Sequence, residues 1–331
     1  MHLAAGPPFD AAVRSMPKIH LHCHLEGTLR PQSFLDLAAR DGIETQNPAD
    51  VYRFADFAAF LRTFMAVCQA LRTPDDYARV AREFVTDAAA QNVAYGEIFV
   101  SPSVWKYFHP ELDVREALAA ISGELRRAKG APFALILDVT RNFGPQSAMG
   151  TLDLALACGS LDVIGIGLGG DEARFAAEPF AEVFARARAQ GLHAVAHAGE
   201  AAGAQSVRAV VEVLGAERVG HGIRALEDPA LVELLAQRGI ALEICPTSNF
   251  LTGAADPEQP HPLFALHRAG VQVVIDADDP ALFGTSIESE YRYVAQVAGL
   301  SAMRGFVQNA VEASFASPQR KQALRSTVLE E

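Results

Sequence analysis

Short apolar runs alternate with longer segments of helical character from one end of the chain to the other. The strand-like runs are Ile19–Leu25, Ala94–Val100, Phe133–Val139, Val163–Leu168, His193–His197, Arg218–His221, Ala241–Cys245 and Val271–Ala277. Their apolarity is continuous rather than alternating, as in parallel strands covered on both faces. Between them lie stretches rich in Ala, Leu, Glu and Arg, such as Ala176–Gln190 and Asp228–Arg238, the second with an Asp-Pro helix start. Eight strands alternating with helices predict a (β/α)8 TIM barrel. A doubly wound open sheet would carry a GxGxxG turn after its first strand. Here the first run leads into His-Leu-Glu-Gly instead.

The longest interval between strands, from Gly27 to Asn92, has room for two or three extra helices after the first strand. Within it Phe54, Phe57, Phe60, Phe64 and Met65 recur at helical spacing. Such a stripe either packs into the core or forms an apolar lid over the barrel mouth. No repeat, low-complexity stretch or linker interrupts the pattern, so residues 1–331 are expected to form one domain.

Composition narrows the partners. Half of the 331 residues are apolar, enough for a large core, and the net charge is -12. An acidic chain lacks the basic surface that a phosphate backbone needs, so no nucleic-acid partner is expected. No apolar run is long enough to span a membrane. The four cysteines (Cys23, Cys68, Cys158, Cys245) form no CxxC pair, and the N-terminal stretch has no secretory apolar core. A reduced, cytoplasmic protein acting on a small molecule is the expectation. Oligomeric state leaves no signature in the sequence.

The candidate chemistry sits at the ends of the runs. His20, His22 and His24 lie two apart in the first, so they project to one side. His22 and His24 are placed to close on one ion, and His20 lies deeper as a supporting residue. His197-Ala-Gly-Glu200, His221 and Asp278-Asp279 follow other runs. In a barrel that is where the active site is built. His22, His24, His197 and Asp278 offer three nitrogens and a carboxylate, a donor set suited to Zn²⁺. A closed structural zinc is the competing reading, but such sites usually use Cys. Two-metal barrels often bridge their ions with a modified lysine. The lysines here, Lys18, Lys106, Lys129 and Lys321, fall at none of the expected positions, so one zinc per chain is expected.

These stretches together resemble the adenosine deaminase family of the amidohydrolase superfamily. The resemblance rests on MPKIHLHCHLEGTLRP, IGIGLGGDE, HAGE, RVGHGI, CPTSN and DADDPALFG, from Met16 to about Tyr291. It implies zinc-dependent hydrolytic deamination of a 6-aminopurine, with His22, His24, His197 and Asp278 as ligands. It further implies that Glu200 protonates ring nitrogen N1, and that His221 orients the attacking water and helps to deprotonate it. Asp279 would contact N7 and the Gly170 N–H would reach N3. The Phe57, Phe60 and Phe64 helix resembles the family's lid. The HxE…PCxxC pattern of nucleic-acid base deaminases is absent.

Three departures bear on substrate. Glu26 stands where adenosine-specific members carry the Asp that faces the ribose, and adenine-cleaving members also carry Glu there. Gly167 replaces an Asp usual in adenosine deaminases. CPTSNFLTGA and DDPALFGT resemble members acting on larger adenine derivatives such as 6-aminodeoxyfutalosine, and Thr247 departs from the CPLSN of the adenine group. The resulting expectation is an adenosine-type nucleoside, with 6-aminodeoxyfutalosine and adenine as alternatives. Two readings from other classes stand beside it. One is a two-metal hydrolase such as a phosphotriesterase or cyclic amidase. The other is a non-catalytic nucleoside-binding protein.

Overall fold

The eight apolar runs become eight parallel strands, paired in chain order, in a computed structural model that describes residues 6–43, 52–53 and 57–329. They are β1 (Lys18–His24), β2 (Val93–Val100), β3 (Phe133–Thr140), β4 (Val163–Gly169), β5 (His193–Ala198), β6 (Arg218–His221), β7 (Ala241–Ile244) and β8 (Gln272–Ile275). The residues just after β8 close the ring. His24 N–H donates to Asp278 O at 3.0 Å, and Asp278 N–H donates to His22 O at 3.0 Å. The fold is a (β/α)8 barrel, and its closing seam joins the strand of His22 and His24 to Asp278 through the backbone itself.

Local signals place the helices. Asp228 caps the Pro229–Arg238 helix by accepting from Ala230 and Leu231 N–H. Thr73 and Asp76 form a reciprocal capping box at the start of the Pro74–Ala90 helix. After β1 come the helices Pro31–Arg40, Phe57–Ala70 and Pro74–Ala90. They are the extra helices expected there. Phe54 lies outside the described residues. Among the described residues no helix is long and apolar enough to cross a membrane. The four cysteines are buried and free.

The main core lies between the strands and the surrounding helices. A separate cluster of Phe99, Ile136 and Val195, with Ile164 and Phe315 against it, draws on β2, β3, β4 and β5. Beside it the barrel carries buried charge: Glu97, Arg218 and Glu243 are all fully buried. Barrels usually fill this space with branched apolar layers. This one divides it between apolar side chains and ions.

One expectation fails. The β1–β2 register shifts between His20 and Cys23, so the even spacing of the histidines does not carry through the strand. His20 sits 6.3 Å, ring to ring, from Phe84 of the Pro74–Ala90 helix and lines a separate cavity with it. It lies away from the barrel mouth, as its deeper place in the strand implies; what fails is the face shared with His22 and His24.

Candidate active site

Four histidines meet at the C-terminal ends of β1, β5 and β6, with Asp278 beside them after β8. Donor atoms of His22, His197, His221 and Asp278 all lie within 4.8 Å of one another, and so do those of His24, Asp278 and Asp279. His22 Nε2 and His24 Nε2 are each 3.5 Å from Asp278 Oδ1. His24 Nε2 and His197 Nε2 face each other at 3.0 Å. His22 Nε2 is buried and has no hydrogen-bond partner. Inward-facing nitrogens around a shared carboxylate are the surroundings a cation fits.

The far nitrogen of each ring separates the four. His22 Nδ1 lies 2.8 Å from Glu243 Oε2, and His197 Nδ1 lies 3.1 Å from Leu168 O. His24 Nδ1 is 3.5 Å from Asp138 Oδ2. For His22 and His197 an acceptor behind Nδ1 fixes the proton there and leaves Nε2 free to ligate, whereas His24 Nδ1 makes no hydrogen bond. His221 differs, because the Asn249 side-chain amide stands 3.1 Å from its Nδ1. With that amide donating, His221 carries its proton on Nε2, which faces Glu200 Oε2 at 3.5 Å and Asp278 Oδ2 at 3.9 Å. Three imidazoles, two of them anchored through Nδ1, and one carboxylate match a zinc donor set.

Two chain features make this approach feasible. His221 and Asp278 adopt positive φ, 59° and 61°, a region few non-glycine residues occupy and one enriched at functional sites. A Cβ on Gly220 would lie 2.6 Å from His22 Cε1, so only glycine lets β6 pass the His22 ring.

Charge states follow from burial. Burial lowers His24 to about 3 and His221 to about 4. Against the same burial, the carboxylates of Asp278 and Glu243 hold His22 above its ordinary value. Asp278 is held well below the carboxylate range by the imidazoles around it, despite burial. Glu200 goes the other way: burial, then the nearby Asp278 and Glu172, push it up to about 8. Asp279 is also raised, first by burial and then by Asp278. Low dielectric and like charge both favour the neutral acid.

Glu200 is held from two sides. Thr252 Oγ1 donates to its Oε1 at 3.2 Å. The Glu172 carboxylate accepts from four successive backbone N–H groups, Gly199 through Ala202, at 2.6 to 3.1 Å. That carboxylate fills an anion-binding nest and pins the loop that carries Glu200.

A cavity of about 310 Å³ opens over the cluster. His24, His197, Glu200, His221, Asp278 and Asp279 form its floor, and Gly170 lines its side. Phe57, Phe60 and Phe64 cover it, with Phe64 6.2 Å from the His24 ring and Phe60 stacked on Phe283 at 4.7 Å. The phenylalanine stripe therefore serves as core and roof at once. At the mouth Tyr107 stacks on Phe143 at 5.4 Å. None of the described residues lining the cavity is Lys or Arg.

The family model for adenosine deaminase matches residues 17–331. The chain belongs to the adenosine deaminase family. As a member it is a hydrolytic deaminase built on the amidohydrolase barrel. It is 35% identical over 316 residues to an adenine deaminase of Rhizobium leguminosarum bv. trifolii, covering 93% of this chain and 98% of the relative. It is 37% identical over 318 residues to an aminodeoxyfutalosine deaminase of Streptomyces coelicolor, covering 92% and 81%. A zinc-bound amidohydrolase structure from Burkholderia ambifaria superposes with a TM-score of 0.93 at 28% identity, covering 99% of this chain and 93% of that one.

Two sequence expectations change in this family member. Glu26 does not line the cavity, because Ser101 N–H and Trp105 Nε1–H donate to its Oε1 at 2.8 and 2.7 Å and hold it in the core. Gly167 leaves room for another acid: a Cβ there would fall 2.1 Å from Asp138 Oδ1. Sequence reasoning missed Asp138, Asn249, Arg218, Glu243 and Ser248, whose hydroxyl donates to Asp278 Oδ2 at 2.7 Å. Asp138, Arg218 and Glu243 had a signal: charged residues inside runs otherwise apolar enough to be buried strands.

Proposed function

We propose that the chain catalyses zinc-dependent hydrolytic deamination of an unphosphorylated 6-aminopurine, with one ion held by His22, His24, His197 and Asp278. The observation that carries this is the turn of the His22 and His24 Nε2 atoms toward Asp278, with His197 Nε2 facing that of His24, beside a Glu200 that is neutral at pH 7. Bound zinc would supply a water whose pKa falls to about 7.

The protein residues divide the remaining work. Glu200 holds its proton at neutral pH and donates it to N1 as attack at C6 builds charge on the ring. His221 directs its Nε2 between Glu200 and Asp278, where it orients the attacking water. Asp279, kept neutral and with Oδ1 unpartnered, is available as a donor to N7. The Gly170 backbone, on the side of the same cavity, serves N3. Phe57, Phe60 and Phe64 exclude bulk water above the ring.

A phosphate would need a cation near it, and the described cavity lining offers acids instead. This favours a nucleoside or base over a nucleotide. The cavity runs past the floor to Tyr107 and Phe143, which supports a substrate carrying an N9 substituent. An adenosine-type nucleoside is the first reading. 6-Aminodeoxyfutalosine is the second, favoured by that aromatic pair and by the removal of Glu26 from the sugar's side. The test is kcat/KM for adenosine, 6-aminodeoxyfutalosine, adenine and AMP. A nucleoside-type compound should exceed adenine and AMP. Equal failure on all four would refute the 6-aminopurine reading.

A further inference from the structure

The ion cluster beneath the histidines takes no part in the chemistry above, yet it touches the site at one atom. Glu243 of β7 uses its two oxygens on different partners: Oε2 faces His22 Nδ1 at 2.8 Å, and Oε1 accepts from Arg218 Nε at 2.5 Å. Arg218 of β6 then crosses to β2, where Nη1 donates to Glu97 Oε2 at 2.5 Å and to Ala313 O at 3.1 Å. Its guanidinium carbon lies 3.8 Å from the centroid of the Phe315 ring. Phe315 N–H donates to the other Glu97 oxygen at 2.6 Å, and the Phe315 ring stacks on His193 at 3.8 Å.

We propose that Arg218 is a positioning residue for the metal site, acting through Glu243 on His22, and that Glu97 and the Ala313–Phe315 segment hold it in place. This rests on the zinc reading given above.

Three arguments carry it. An ionised carboxylate only accepts, so a charged Glu243 obliges His22 to donate from Nδ1 and to point Nε2 at Asp278. Arg218 Nε–H donates to Glu243 Oε1 at 2.5 Å, which leaves Oε2 turned to His22 Nδ1. Second, the Glu243 carboxylate stands behind the His22 ring, on the side away from Nε2 and Asp278, where it favours a cation beyond the ring. Third, burying such a set is seldom the most stable way to fill a barrel; apolar residues of similar volume often do as well or better. Arg218 has a fork geometry that bridges two carboxylates, which a lysine point charge cannot reproduce.

The experiment is zinc competition with a chromogenic chelator, using the full-length protein well below the melting point of its metal-free form. Glu243→Gln should weaken zinc binding about 10–100-fold while the circular dichroism stays native. Arg218→Lys should weaken it in the same direction, and the double variant should lose no more than Glu243→Gln alone. Wild-type zinc affinity in a folded Glu243→Gln protein overturns the proposal. So does an Arg218→Lys variant that melts earlier but binds zinc normally, or losses that add in the double variant. Failure of the wild-type protein to bind zinc overturns the metal reading itself, and this proposal with it.

Discussion

Nε2 of His221 lies 3.5 Å from the Glu200 carboxylate, and the two groups are pushed in opposite directions by the same burial. The imidazole falls to about 4 and the carboxyl rises to about 8, so both are neutral at pH 7. A neutral acid beside a neutral imidazole whose Nε2–H faces the site pairs a proton donor with a group that can orient the water.

The first prediction concerns pH. In the proposed mechanism Glu200 acts in its protonated form, which is present below about 8 and lost as pH rises through that value. The kcat/KM profile should therefore fall on its alkaline side near pH 8. A profile that keeps rising to pH 10 would exclude Glu200 as the acid.

Glu200→Gln keeps the shape and removes the proton. It should retain zinc by elemental analysis and lose about 10²–10⁴-fold in kcat. Unchanged turnover would refute the assigned role.

Glu172 acts at one remove, through four backbone N–H groups. Glu172→Ala leaves them to water and frees the loop. Hydrogen exchange at residues 199–202 should speed up, and kcat should fall more than KM rises. Protected amides in that variant would show that the nest needs no internal carboxylate.

Gly220→Ala places a methyl 2.6 Å from His22 Cε1. Overpacking of this kind costs about 1–3 kcal/mol, and here it displaces a ligand. Zinc content and denaturant midpoint should both drop. Full zinc occupancy would mean that β6 can yield at this point.

The lid separates packing from binding. Phe60 is nearly buried against Phe283, so Phe60→Ala should cost about 3–5 kcal/mol in stability. Phe64 is only half-buried and stands over His24. Phe64→Ala should raise KM while leaving the melting temperature nearly unchanged.

The strands were legible because parallel strands sheathed by helices must be apolar throughout. Ile19–Leu25 and Lys18–His24, for example, differ by one residue at each end. Lys18 escapes the apolar pattern because its ammonium bonds main-chain oxygens of Val13 and Met16 beneath the barrel. The polar residues at strand ends were legible too, since a barrel gathers them wherever they lie in sequence. His20 was misplaced because a register shift has no signature in residue spacing. Glu26 was misplaced because Trp105, 79 residues away, holds its carboxylate. Arg218 and Glu243 were passed over because a pattern of apolar runs treats charge within a strand as noise.

The most direct test of the central claim is ammonia release from adenosine and 6-aminodeoxyfutalosine by chelator-stripped protein before and after addition of one equivalent of zinc. The account predicts negligible release before and full recovery at one zinc per chain. Undiminished release from the stripped protein, or a requirement for two ions, would contradict it.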